Sequence, residues 1–288
     1  MTSASPTVAA ASKHERDGMA PHDKKREPNG VAGASGSFGS SGSILGPRAS
    51  EACQGTSHQG TSHQGRPEKK ALRVSIKAAL KSLSPSQKKS ESERVCSTIL
   101  DDLKLIDDLP PTAGVCVYLA CETLNEVDAG RILQRAFDRG LRVYLPRVLD
   151  RDSNMHFLRV HAHDTYDVVP PFGIREPTLV DPVTGDVRED VLEGYASLDV
   201  IFMPGVGFGD GGERLGRGGG YYDAFIDRYM NGGDRQGGQG GVCARAKPLL
   251  VGLAFDVQVV NGSEVPMDTH DQYLDMVVSG TRVARRPL

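Results

Sequence analysis

The chain has 288 residues, 38 % of them hydrophobic, and a formal net charge of −3. That length holds one or two domains with a buried core, and so balanced a charge argues against a nucleic-acid or membrane-surface partner. Its five cysteines form no CxxC pair, which points to free thiols in a reducing compartment, and no apolar run approaches the ~18 residues that span a bilayer.

Residues 1–66 are rich in Ser, Gly, Ala, His and Pro and contain a tandem repeat, Gly55–Gln59 followed by Gly60–Gln64. Apart from Ile44 and Leu45 they hold few large apolar side chains, too few to offset the entropy of ordering, so a disordered tail is expected. The first twelve residues lack acids, as organelle presequences do, but Glu15, Asp17, Asp23 and Glu27 follow and arginine is scarce. The cytoplasm is the expected compartment.

Residues 68–82 place Leu72, Ile76, Ala79 and Leu80 on one helical stripe. Lys69 and Arg73, four apart, share a side of that helix; spacing alone makes them a solvated basic face. Ser84-Pro85 reads as an N-cap with proline at the first helical position, opening a helix through Val95, Ile99 and Leu103. Val115–Ala120 is a continuous apolar run and reads as a central strand. Residues 125–128 then introduce a helix through Ile132, Leu133, Ala136 and Phe137, ended by Gly140. Leu141–Val148 is the next strand. Strand, helix and strand with short links form a βαβ unit and hence a parallel sheet. Glu126 falls just past a strand's carboxyl end, where open α/β sheets bind ligands.

Met155–Val160 predicts a short strand. His156, His161 and His163 read as surface histidines, since no fourth ligand accompanies them to hold zinc. Phe172–Pro177 is an aromatic loop punctuated by Gly and Pro. The buried run Val200–Met203 leads into Pro204–Gly220, where ten of seventeen positions are Gly or Pro. From Tyr221 the pattern turns helical, with Tyr222, Phe225, Ile226 and Tyr229 on one face. A strand, a glycine loop carrying Arg214 and Arg217, and a helix start make the layout of an anion site. Asp223, in the first helical turn, repels bound phosphates unless a divalent cation intervenes, and hard oxygen ligands suit Mg²⁺. The loop is neither a Walker sequence nor a GxGxxG fingerprint. Residues 231–247 have no periodicity and read as a mobile insertion. Leu249–Phe255 and Met276–Val278 are the last strands, and the acids Asp268, Asp271 and Asp275 lie between them.

The run Arg214-Leu215-Gly216-Arg217-Gly218-Gly219-Gly220-Tyr221-Tyr222-Asp223 resembles the signature of 5-formyltetrahydrofolate cyclo-ligases. Many relatives carry Lys where Gly219 stands, whereas plant organellar members carry Gly. Lys69-x-x-Leu72-Arg73 is similar to the family's opening basic motif, Glu126-Val127-Asp128 to its folate-contacting segment, and Phe172–Pro177 to its pterin loop. The resemblance implies ATP-dependent closure of 5-formyltetrahydrofolate to 5,10-methenyltetrahydrofolate. It implies ATP binding by Lys69, Arg73 and Arg214 to Tyr222, and folate binding by Leu119, Glu126, Met155, Phe172 and Arg217 to Tyr221. Arg214, Arg217 and Tyr221 would be catalytic, and Asp223 and Asp271 would hold Mg²⁺. The substrates expected are ATP and a folate, polyglutamylated or not, bound by a monomer. A plant-like pattern makes mitochondrion or plastid the alternative compartment. The fold expected is one Rossmann-like three-layer α/β/α domain with a mostly parallel open sheet over 67–288. The rivals are a sugar-phosphate isomerase or CoA-transferase, which would lack Lys69-x-x-Leu72-Arg73 and the Asp223/Asp271 pair, and an RNA-binding module built on Arg217-Gly218-Gly219. Such RGG segments repeat in basic, low-complexity sequence; this one occurs once.

Overall fold

In a computed structural model, residues 65–194, 196–231 and 245–287 are described. The tail expected over 1–66 and the insertion expected over 231–247 therefore lie mostly outside the described residues. Helix α1 (Gly65–Ser82) buries Ile76 and Leu80 on its apolar stripe. Helix α2 (Pro85–Ser97) starts at a capping box: the Gln87 N–H donates to the Ser84 hydroxyl, and the Ser84 N–H donates to the Gln87 side chain. The stripe through Val95, Ile99 and Leu103 predicts one helix, but the chain widens into a π turn over Thr98–Asp102. The extra residue keeps Val95, Cys96, Ile99 and Leu100 all in the core.

Strand β1 (Gly114–Cys116) is followed by α3 (Gly130–Asp138), β2 (Arg142–Val148) and β3 (Met155–Val160). The helix expected from 125 starts five residues later. Asn125 has φ 51 after a 3₁₀ turn at Glu122–Leu124, a left-handed geometry that a helix cannot continue. Glu126 thus lies on the connection, free to face a ligand. At the other end Gly140, at φ 66, donates its N–H to the Phe137 carbonyl at 2.8 Å, as the C′ reading requires. Next come the hairpin β4 (Tyr166–Val169) and β5 (Ile174–Pro177), then β6 (Val200–Met203). The glycine stretch after β6 folds into β7 (Gly207–Gly209) and β8 (Arg214–Leu215) before α4 (Tyr221–Met230). Strands β9 (Leu249–Leu253), β10 (Val259–Val260), β11 (Met276–Val278) and β12 (Val283–Arg285) complete the chain.

Seven strands form one sheet in the order β12-β11-β9-β6-β1-β2-β3. The inner five are parallel, and β3 and β12 run antiparallel at the edges. Alternate residues feed opposite faces. Val200 and Phe202 join the core against α1, α2 and α3, whereas Ile201 and Met203 join the core that includes Phe225, Ile226 and Tyr229 of α4. Two covered faces explain the continuous apolar strands, and the three-layer α/β/α expectation holds. Strand β1 has β2 on one side and β6 on the other, so chain order reverses between β1 and β6. Ligands of open α/β sheets bind at the carboxyl ends flanking that point.

Two features escaped the sequence reading. The three-stranded sheet β10-β7-β8 is too short and glycine-rich to show a period. His156 is not a surface histidine: its Nδ1 pairs with Asp190 and its Nε2 lies 3.1 Å from the Asn154 side-chain oxygen. His161 and His163 are exposed, as expected. Cys96, Cys116 and Cys121 are free, buried thiols.

Candidate active site

A cavity of about 270 Å³ opens at the reversal point. Tyr118 and Leu119, beyond the end of β1, and Pro204 and Gly205, beyond β6, line it. The glycine stretch closes one side. Arg214 projects from β8, its side chain 5 % exposed, and donates to Asp223 at 2.6 Å. The other oxygen of Asp223 accepts the Gln272 N–H at 3.0 Å. The Arg214 guanidinium lies 5.5 Å from the Tyr222 ring centre, and its Nε is buried with no hydrogen-bond partner. A donor so placed is costly unless a ligand meets it.

Arg217 is about a third exposed. It donates to the Leu124 carbonyl and reaches Glu126 Oε1 at 3.4 Å. Glu126 Oε2 accepts the Cys121 N–H at 3.1 Å. Burial pushes the Glu126 carboxyl above its ordinary pKa, while Arg217 pulls it back. The same burial, with the Glu126 charge, raises the Tyr222 phenol, which stays protonated. Gly218 and Gly220 take φ 115 and 65, conformations that favour glycine. Gly220 caps α4 without a side-chain bond, so the first-turn N–H groups of that helix remain available to an anion.

Leu119, Glu126, Met155, Phe172, Arg214, Gly216, Arg217, Gly219, Gly220, Tyr221, Tyr222 and Asp223 all line this one cavity. Leu215 and Gly218 do not: the Leu215 side chain is buried in the larger core, and Gly218 is exposed on the loop. Lys69 and Arg73 are not the solvated face that spacing alone suggests. Arg73 donates to the Gly216 carbonyl at 2.8 Å and so fixes the loop. Lys69 is buried and pairs with Asp268 at 2.7 Å and with Asp271. Burial lowers its pKa, but the two carboxylates outweigh that and leave it raised. Ligand atoms of Asp268, His270 and Asp271 lie within 4.8 Å of one another. Two carboxylates there suit a hard cation, with the Lys69 ammonium now neutralising them. Asp223 and Asp271 each have a cation of their own, Arg214 and Lys69 respectively.

The sequence reading left out Tyr118, Leu124, Pro146 and Val148, and it named Ile174, Arg175 and Glu176 only as part of the Phe172–Pro177 loop; all of them line the cavity. Glu176 falls inside the Phe172–Pro177 loop already singled out, and a lone acid beside proline gives no further signal. Asp268, as a partner of Lys69, shows only once α1 and the segment before β11 meet.

A family model for the 5-formyltetrahydrofolate cyclo-ligase family matches residues 66–280. The chain belongs to that family. It is similar to the mitochondrial 5-formyltetrahydrofolate cyclo-ligase of Arabidopsis thaliana, 32 % identical over 75 % of each chain. The mouse 5-formyltetrahydrofolate cyclo-ligase is 29 % identical over 73 % of this chain and 92 % of its own. The NMR structure of Aquifex aeolicus 5,10-methenyltetrahydrofolate synthetase aligns with TM-score 0.55 at 26 % identity, over 76 % of this chain and 92 % of that one.

Gly219 gives this cyclo-ligase family member a testable corner. Its φ is not among the positive ones, yet an added Cβ would lie 2.5 Å from Tyr221 Cε2. The obstacle is therefore the ring and not the backbone. Gly219→Ala is expected to displace Tyr221, whose hydroxyl donates to the Asp150 carbonyl at 3.1 Å, and to raise the KM for substrate about tenfold, or ~1.4 kcal/mol. In a Tyr221→Ala background the added cost should vanish. Steady-state kinetics of both single variants and the double variant check this, and equal losses in both backgrounds would place the strain elsewhere.

Proposed function

We propose that the protein closes 5-formyltetrahydrofolate to 5,10-methenyltetrahydrofolate with ATP and Mg²⁺, releasing ADP and phosphate. The observation that carries this is the pairing, in one cavity, of a phosphate-type loop with a walled ring site. Arg214, Arg217 and the uncapped start of α4 supply the first; Glu126, Leu119, Met155, Phe172 and Tyr221 supply the second.

The formyl oxygen on N5 is a poor leaving group. It attacks the γ-phosphorus of ATP, the bond from phosphorus to the bridging oxygen breaks, and ADP leaves with that electron pair. The product is an N5 iminium phosphate. N10 then attacks the formyl carbon and gives up its proton, the carbon–oxygen bond breaks, and phosphate departs with the oxygen. Phosphoryl transfer asks the protein for position and charge neutralisation. Arg214 is held rigidly by Asp223 and Tyr222, so its fork is preorganised for phosphate oxygens. Arg217, already at Glu126, spans the phosphate and ring ends of the site. Lys69 and Arg73 support the ATP side, and the amides of Gly216 to Gly220 close on the transferred group.

Asp271 and Asp223 would hold Mg²⁺, which neutralises phosphate charge when bound. Asp271→Asn is expected to raise the Mg²⁺ concentration for half-maximal rate about tenfold while leaving the folate KM near its wild-type value, one contact being worth roughly 1–2 kcal/mol. Unchanged Mg²⁺ dependence would reduce Asp271 to the ion-pair partner of Lys69.

The substrates are small molecules bound by a monomer. An RNA-binding reading is disfavoured because Tyr222 is already engaged by Phe157, 6.1 Å between ring centres, and by the Arg214 guanidinium at 5.5 Å. No helix among the described residues is long and apolar enough to cross a membrane. The mitochondrial name of the Arabidopsis relative supports the organellar alternative over the cytoplasm. The rate of methenyltetrahydrofolate formation, followed by absorbance with and without ATP, tests the proposal. Formation only with ATP is expected; an ATP-independent rate or none at all would contradict it.

A further inference from the structure

Besides Glu126 and Asp223, the cavity wall holds a third carboxylate, which the chemistry above does not use. Glu176 sits on β5, 3 % exposed, and lines the same cavity as Glu126. The Val148 backbone N–H at the end of β2 lies near enough to act on its charge. Among the described residues no Lys or Arg nitrogen lies within ion-pair distance of it. Arg147, the cation that acts on it from further away, donates to the Pro177 carbonyl and pairs with Asp167 at 3.3 Å.

An ionised carboxylate offers about four acceptor positions, and burying it is costly unless donors fill them. Burial pushes the Glu176 carboxyl up, and the Val148 N–H draws it back only in part. Glu126 differs, because Arg217 and the Cys121 N–H already engage both its oxygens. Glu176 therefore keeps open acceptor capacity beside Pro146, Val148 and Ile174, which line the cavity with it. Apolar walls with a buried carboxylate among them suit a planar ring that carries adjacent N–H donors on one edge.

We propose that Glu176 is a substrate-binding residue whose carboxylate accepts the 2-amino and N3–H donors of the pteridine ring. The inference rests on the folate reading of the site. Two parallel N–H donors match the two carboxylate oxygens as an arginine fork does. The competing role is mechanical: Glu176 would only latch β5 to β2 through Val148.

Equilibrium binding to the full chain without ATP separates the two. The ligands are 5-formyltetrahydrofolate and its 2-desamino analogue, measured against wild type and Glu176→Gln. Wild type should prefer the natural ligand by about tenfold or more, the usual worth of a hydrogen bond to a charged group. Glu176→Gln should bind the natural ligand about tenfold more weakly, lose most of the preference, and keep the wild-type KM for ATP. Glu176→Asp, which retains the charge but withdraws it by one methylene, carries the same readout if the Gln variant fails to fold. A variant that keeps both the affinity and the preference overturns the inference while leaving the folate reading intact. Failure of wild type to bind either ligand overturns the folate reading and the inference together.

Discussion

Arg214→Met is expected to lower the stability of the folded chain by about 3–5 kcal/mol and to abolish turnover. Arg214 and Asp223 form a buried pair, with side chains 5 % and 12 % exposed at 2.6 Å. Removing one partner leaves an uncompensated charge in a poor solvent, which is the expensive way to break such a pair. Met keeps the unbranched aliphatic stem and removes the guanidinium with its contact over Tyr222, so the loss reports mainly on the charged head. The double variant Arg214→Met/Asp223→Leu should recover most of the stability, because a buried pair replaced by apolar groups is often neutral. It should recover no activity. Denaturant midpoints and initial rates on the three proteins separate these effects. A double variant as unstable as the single one would mean that the Asp223 bond to the Gln272 N–H, and not the ion pair, holds this corner together.

Arg217→Ala is expected to cost at least ten- to a hundred-fold in kcat/KM, with little change in stability. Its guanidinium is about a third exposed and anchored to the Leu124 carbonyl and Glu126, so the folded state does not depend on it as it does on Arg214. One charge-assisted contact is worth roughly 1.5–3 kcal/mol, which sets that range of rate. Gly219 brings no side-chain charge to the loop, so Arg217 carries more of the anion there. Loss of Arg217 also strips Glu126 of the charge that lowers its pKa, and burial then raises that carboxyl further. The variant's folate affinity should accordingly weaken more at low pH than that of wild type, as the unpaired carboxyl takes up a proton. Wild-type turnover in Arg217→Ala would remove the glycine loop from the chemistry.

How much of this was legible in the sequence depended on the range of the signal. Continuous apolar runs at 115–120, 200–203 and 249–255 announced a parallel sheet because both faces of those strands are covered. Ser84-Pro85 and Gly140 announced helix ends because caps are set by local hydrogen bonds. Arg214 to Asp223 was legible as a unit, and the cavity is built around it. Long-range pairing was not legible. Nothing near Lys69 predicts that Asp268 and Asp271, some two hundred residues away, neutralise it. Nothing near His156 predicts Asp190. Residues 204–220 looked like an open loop because glycine was read as freedom. Yet Gly207 is packed so closely that an added Cβ would lie 2.4 Å from Ile76 Cδ1, and the stretch is a tight hairpin. The start of α3 was misplaced because the left-handed turn at Asn125 leaves no periodic trace.

The central claim is that ATP activates the formyl oxygen itself. Substrate carrying ¹⁸O in the formyl group, turned over with unlabelled ATP in unlabelled water, tests it most directly. The account predicts that the label appears in inorganic phosphate, one labelled phosphate for each methenyltetrahydrofolate formed. Label recovered in water, with phosphate unlabelled, would contradict it.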